Sequence, residues 1–122
     1  IYLSMSKHSK LGIKGEQIAA DFLLNKGYNI IFRNWRSGKK EVDIIAYVGN
    51  LLVFVEVKTR TSTSFLFPEE AVNRKKQQFL KAAASCYTKA HTQHPEYRFD
   101  IISVLLKGEE VLEIIHFEEA FH

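Results

Sequence analysis

At 122 residues, with 46% hydrophobic and 25% charged side chains, the sequence has room for one domain and lacks the composition of a disordered or fibrous chain. Its apolar runs are short: the longest, Ile101 to Leu106, is broken by Ser103, against the roughly 18 residues a membrane-spanning helix needs, so no membrane is expected. The net charge of +3 is uneven, with ten Lys/Arg against five Asp/Glu in residues 1–60 (+5) and seven against nine in residues 61–122 (−2), so the first half suits a phosphate-bearing partner.

Cys86 is the single cysteine, which excludes an intrachain disulfide and fits a cytoplasmic location. Residues 1–8 are read as an N-terminal extension of a single domain. Ser9 is a good N-cap for a helix over about Lys10 to Lys26, with Gly27 as its stop. Leu11, Gly15, Ile18, Ala19, Phe22 and Leu23 fall on one arc of that helix, while Lys14, Gln17 and Asp21 point to water. Glu16 sits at the edge of the apolar arc, where a carboxylate needs a partner. Tyr28 to Arg36 reads as a first strand leading into a turn at Ser37-Gly38. Arg33, Arg36, Lys39 and Lys40 gather there around Trp35, a pattern that can hold a phosphate backbone, although core packing is the role expected of Trp35 itself.

Two runs rich in β-branched residues follow, Lys39 to Tyr47 and Leu51 to Arg60, on either side of Gly49-Asn50. They predict a hairpin with a two-residue turn in which Val48 faces Leu51. Counting back along both strands sets Asp43 opposite Glu56 and Glu41 opposite Lys58, all four on one face, with Val42, Ile44 and Ala46 on the other. Like charges directly opposed repel. A divalent cation such as Mg²⁺, which takes carboxylate oxygens, resolves the conflict, and Lys58 on the same face can orient a water or offset a phosphate. The plainer alternative is an exposed ladder of charges that aids solubility.

Thr61 to Phe67 reads as a loop beside this site. Pro68 begins a second helix running to about Ala90, with Phe79, Leu80, Ala83, Ala84 and Tyr87 among its inward residues and Arg74, Lys75 and Lys76 as a basic turn. Tyr97 to Lys107 and Val111 to Phe117 are the last two strands, followed by an acidic tail. Asp100 lies in an apolar strand, where a supporting role at the site and plain strand-end hydrogen bonding are both open. The five histidines have no zinc spacing and are assigned no role. Strand, helix, strand over Leu51 to Leu106 implies a parallel pair, so the order α-β-β-β-α-β-β gives a mixed sheet with helices on its faces.

Asp43, twelve residues, then Glu56-Val57-Lys58 resembles the D-(x)n-E-x-K core of the PD-(D/E)XK nuclease superfamily. With Gly15-Glu16, Gly27-Tyr28, Asn34-Trp35-Arg36, Glu41 to Ala46 and Phe54 to Arg60, the chain is similar more narrowly to the YraN family of bacterial proteins, itself similar to archaeal Holliday junction resolvases. The likeness spans about Lys10 to Ser103. Val42 stands where the superfamily motif has proline, and Lys40 where the family often has glycine. The resemblance implies an α/β, restriction-endonuclease-like, mixed five-stranded sheet. It implies Mg²⁺ (or Mn²⁺) held by Asp43, Glu56 and the Val57 carbonyl, Lys58 positioning the attacking water, Glu16 as a third acid and Glu41 as support. Arg60, Lys75 and Lys76 would join the basic residues along the nucleic acid. The expected activity is cleavage of structured or branched DNA, with a homodimer for two-strand cutting; the alternative is a nucleic-acid-binding module that does not cut.

Overall fold

The computed structural model describes residues 9–61, 73–91 and 96–122. Expectations for residues 1–8, for the loop at 62–67, for a helix start at Pro68 and for the loop at Pro95 lie outside the described residues. Within them the elements are α1 (Lys10–Asn25), β1 (Asn29–Ser37), β2 (Lys40–Val48), β3 (Leu51–Arg60), α2 (Arg74–Ala90), β4 (Glu96–Lys107) and β5 (Glu110–Phe121). The five strands form one mixed sheet in the order β1-β2-β3-β4-β5, antiparallel except for β3 and β4, which α2 links in parallel. This is the expected α-β-β-β-α-β-β arrangement.

Both faces of the sheet are covered. Ser9 Oγ accepts the N–H of Gly12 at 3.0 Å and starts α1, whose small residues Gly12, Gly15, Ala19 and Ala20 let the helix axis come close to the strands. Ala19, Ala20 and Leu23 pack there on Ile44, Val53, Val55 and Ile102. On the other face Leu80, Ala83, Ala84 and Tyr87 of α2 pack on Ile45, Leu52, Phe54 and Ile101. Tyr87 is the centre of that layer, with Trp35, Phe54 and Phe32 set edge-on around its ring. Trp35 is thus a packing residue, as expected. Full burial of each large apolar side chain contributes roughly 1.5–3 kcal/mol, so the two layers carry the fold.

Four features differ from the reading of the sequence. Phe79, expected inward, is 46% exposed, because the core stripe of α2 runs through Leu80, Ala83 and Tyr87 and leaves Phe79 one step around the helix. Val42, expected beside Ile44 and Ala46, packs instead with Ile45 on the α2 face. The cause lies in β1: Asn34 has φ 54, a left-handed conformation that resets strand alternation and puts both Phe32 and Trp35 against Tyr87. Asn34 falls between the pairs Arg33↔Ile44 and Trp35↔Val42, which places Asp43 across from it at the level where β2 also changes face. Third, neither Asp43 with Glu56 nor Glu41 with Lys58 forms the expected facing pair, since pairing of β2 with β3 ends at Ile44↔Val55. Finally, β5 runs on to Phe121 where an acidic tail was expected.

The hairpin itself matches the expected register: Val48 pairs with Leu51, and Gly49 takes φ 60 in the turn. Gly15 serves a different purpose, because a Cβ at that position would overlap Thr59 Oγ1 and lie 2.8 Å from Thr59 Cβ and Cγ2. Alanine favours a helix over glycine by about 1 kcal/mol, but overpacking costs about 1–3 kcal/mol. Gly15→Ala is therefore expected to lower the urea unfolding midpoint, and Thr59→Ala in the same chain to recover part of the loss. A Gly15→Ala protein as stable as the parent would show that α1 does not lean on Thr59.

Candidate active site

The sheet forks at one end. Lys40, Glu41 and Val42 of β2 stay paired with Ser37, Arg36 and Trp35 of β1, while Glu56 to Arg60 of β3 stay paired with Ile101 to Leu105 of β4. Between these arms the β2–β3 ladder stops. By the alternation of an antiparallel hairpin, the next hydrogen-bonded pair would join Val57 to Val42. The carboxylate of Asp43 takes that place, its Oδ2 accepting the N–H of Val57 at 2.8 Å. A strand residue directs its N–H and C=O to the same neighbour, so the Val57 carbonyl also points into the fork.

Glu56 lies just beyond, 1% exposed, on the α2 face. Its Oε2 is 3.8 Å from Lys58 Nζ and 3.6 Å from Lys76 Nζ. Lys76 reaches it because it continues the Leu80, Ala83, Tyr87 stripe one turn earlier, at the start of α2, where Asn73 Oδ1 caps the helix by accepting the N–H of Lys76. Asp43 is 2% exposed.

The other expected site residues are distributed around this pair. Glu16, on α1, is buried on the opposite face of the sheet and sits 3.6 Å from Arg33 Nη2. Arg33 Nη1 also donates to Gln17 Oε1 at 2.8 Å. Glu41 is 3.4 Å from Arg36 Nη2 across β1 and β2. Arg60 is buried and donates to the Ser103 hydroxyl, so its guanidinium is engaged inside the protein. Lys39, Lys75 and Arg36 are exposed and Lys40 half-buried; they make a basic rim at this end of the sheet, Lys40 and Lys75 on the α2 side and Arg36, which alternates with Trp35, on the α1 side.

The donors at the fork suit a hard divalent ion, which uses one or two carboxylates with water and phosphate oxygens. Asp43, Glu56 and the Val57 carbonyl are all oxygen donors on the two lips of one gap. Among the described residues no three His, Cys, Asp or Glu side chains converge tightly enough to hold a metal. Glu16 is thus not grouped with the other two acids in this structure. Asp43 and Glu56 would be the metal's anchors.

The model of the uncharacterised protein family UPF0102 matches residues 15–104, which takes in Glu16, both lips of the fork and the whole of α2. The chain belongs to the UPF0102 family. UPF0102 proteins of Phocaeicola vulgatus and Flavobacterium psychrophilum are each 44% identical to it, over 97% of this chain and 97% and 98% of their own. One from Chlorobium phaeobacteroides is 46% identical over 91% of this chain and 92% of its own. The family match brackets the fork but not β5. Among the described residues no helix is long and apolar enough to cross a membrane.

A second charged cluster, unread in the sequence, lies under the far end of α1. Asp100, buried on β4, accepts from Arg98 Nε and Nη2 at 2.7 Å each, from His116 Nε2 at 2.7 Å and from the N–H of Glu119 at 3.0 Å. Lys26 Nζ donates to His116 Nδ1 at 2.8 Å, and Arg98 Nη2 also donates to Tyr28 Oη. Glu119 has φ 52, at the bulge where β4 and β5 slip register, so the Asp100 carboxylate takes an N–H the ladder leaves behind. Burial alone would push the Asp100 carboxyl up, but the hydrogen bonds from His116, Arg98 and Glu119 prevail and hold it below the ordinary carboxylate range. Glu56 lies on the α2 face, whereas Asp100, which pairs in register with Val55 beside the fork, turns its carboxylate to β5 on the α1 face. Its one sequence signal was an aspartate in an apolar strand; His116 gave none.

Two outcomes follow from these geometries. Asp43→Ala strands the Val57 N–H without its acceptor, whereas Asp43→Asn retains an amide oxygen, so urea melts should find the alanine variant less stable than the asparagine variant by about 1–3 kcal/mol. Equal midpoints would detach Asp43 from the fork. Asp100→Asn should cost about 3 kcal/mol at pH 7 by removing the buried counter-charge of Arg98, which keeps only the exposed Glu118 at 3.2 Å. Because the folded pKa is depressed, that stabilisation is full above the unfolded value near ~3.9 and is lost as pH falls through the folded value. The gap between the two proteins, measured at pH 7, 5 and 3, should therefore close only at the acid end.

Proposed function

We propose that this protein is a Mg²⁺-dependent (or Mn²⁺-dependent) endonuclease that hydrolyses phosphodiester bonds in structured or branched DNA, of the PD-(D/E)XK type that its sequence resembles. The observation that carries the reading is the fork: two buried carboxylates, Asp43 bonded to the Val57 N–H and Glu56 next to Val57 in sequence, lie where β2 and β3 part, with Lys58 and Lys76 beside Glu56. The restriction-endonuclease-like fold implied by that resemblance agrees with the five-stranded mixed sheet.

Asp43, Glu56 and the Val57 carbonyl would hold the ion. When bound, it would supply Lewis acidity toward the scissile phosphate and lower the pKa of a coordinated water. Lys58 positions the attacking water, since its ammonium lies on the same lip as Glu56. Lys76 is placed to offset charge on the phosphate from the opposite side. Glu16, behind the sheet and paired with Arg33, stands outside this ligand set. Arg36, Lys39, Lys40 and Lys75 bind the backbone along the rim. Cutting two strands of a junction would use two copies of the chain.

A binding module without cleavage is the second reading, and the two lysines within 4 Å of Glu56 favour it, since they neutralise that carboxylate without any metal. The two readings part in a strand-cleavage assay on junctions, flaps and single strands with Mg²⁺ or Mn²⁺. The parent should cut, and Asp43→Asn, Glu56→Gln and Lys58→Ala should each cut at least about 10²-fold more slowly while melting normally. Undiminished cleavage by Asp43→Asn and Lys58→Ala would overturn the site assignment. Oligonucleotide binding with no cleavage by the parent would establish the module.

A further inference from the structure

Beside the fork runs a groove of about 320 Å³ between the start of β2 and α2, lined by Lys40, Lys75, Gln78, Phe79 and Ala82. Residues 75, 78, 79 and 82 follow i, i+3, i+4, i+7 spacing and form a second stripe of α2, next to the one that carries Lys76 and the core. Its aromatic member, Phe79, is 46% exposed. A single exposed phenylalanine needs no explanation, but here it lines a groove with two lysines and no carboxylate among the described lining residues. The groove is at the small end of the ~300–1,000 Å³ range of ligand clefts, which suits one planar ring system better than a peptide helix.

We propose that this groove takes an unpaired nucleobase, stacked on Phe79, with the adjoining phosphates held by Lys40 and Lys75. An aromatic face flanked by cations is the general solution for binding single strands, since every base presents a π-face and every nucleotide a negative charge. Gln78 adds a donor and an acceptor for a base edge. The position joins the groove to the fork. Lys75 and Lys76 are consecutive, one turned to the groove and the other to Glu56, and Lys40 lies three residues, about 10 Å, before Asp43 on β2. A strand whose phosphate reaches the two acids thus has a neighbouring base over Phe79. This deepens the nuclease reading, on which it rests only for its nucleic-acid partner: the substrate has an unpaired stretch next to the cut, as at a junction arm, flap or gap, and continuous duplex is a poor ligand.

Binding is measured in EDTA, so that cleavage plays no part, using oligothymidylate DNA and oligouridylate RNA carrying one 2-aminopurine, with blunt duplex for comparison. The parent should bind the single strands more tightly than duplex and quench the 2-aminopurine emission. Phe79→Ala should weaken single-strand binding about tenfold and abolish the quenching, Phe79→Leu should behave alike because it keeps bulk without a π-face, and Phe79→Trp should restore both. Lys75→Ala should reduce the slope of log K against log salt by about 0.7. Thermal melting and light scattering accompany each variant. Phe79 is exposed, so melting should be unchanged; a Phe79→Ala change in oligomeric state would make the ring a contact between copies and overturn the proposal. Parent-like binding and quenching by Phe79→Ala and Phe79→Leu would overturn the groove alone. No oligonucleotide binding by the parent would overturn the nucleic-acid reading together with it. The DNA and RNA arms then say which sugar the site accepts.

Discussion

Once the carboxylate of Asp43 accepts the N–H of Val57, the ladder between β2 and β3 cannot extend further, and the sheet divides into a β1–β2 arm and a β3–β4–β5 arm. That single bond sets the geometry of the polar end of the molecule. It satisfies a backbone donor that would otherwise be buried and unmade, turns an acidic side chain into the plane of the sheet, and opens a gap between two lips that carry carboxylates. The left-handed Asn34, across from Asp43, lets β1 follow the same change of face.

Around the gap the two helices act differently. The small residues of α1 bring its axis down on β3 and deliver Glu16 from behind the sheet, where Arg33 meets it. The start of α2 brings cations instead: Lys76 inward to Glu56, Lys75 outward to the groove. One basic turn of helix therefore serves a buried acid and an exposed aromatic site at once, because consecutive residues lie on adjacent stripes.

On the α1 face, the Asp100 cluster ties the close of α1, the approach to β1 and the last two strands together through Arg98, His116, Tyr28 and Lys26. Its groups bond to one another and to a bulge, which is the chemistry of a fastening. The fork gathers acids and lysines where two strands part. Two charged clusters on one sheet thus differ in their partners, and burial alone does not tell them apart.

How far the sequence reached can be judged residue by residue. The alternating β-branched runs, the Gly49-Asn50 turn and the Ser9 cap act through near neighbours, so they determined the element order and the hairpin register. The likeness of the Asp43 to Lys58 stretch to a known motif suggested the chemistry proposed for it. What required tertiary structure were interactions between residues far apart in the chain. Glu41 turned to Arg36 because the ladder had ended, Phe79 came to the surface because packing on the sheet selected the stripe beside it, and Asp100 found His116 only when β5 was laid against β4. Periodicity fixes which residues share a face. Which of two adjacent stripes meets the core, and where a strand pair stops, depend on the shape of the partner surface, and no local pattern contains that.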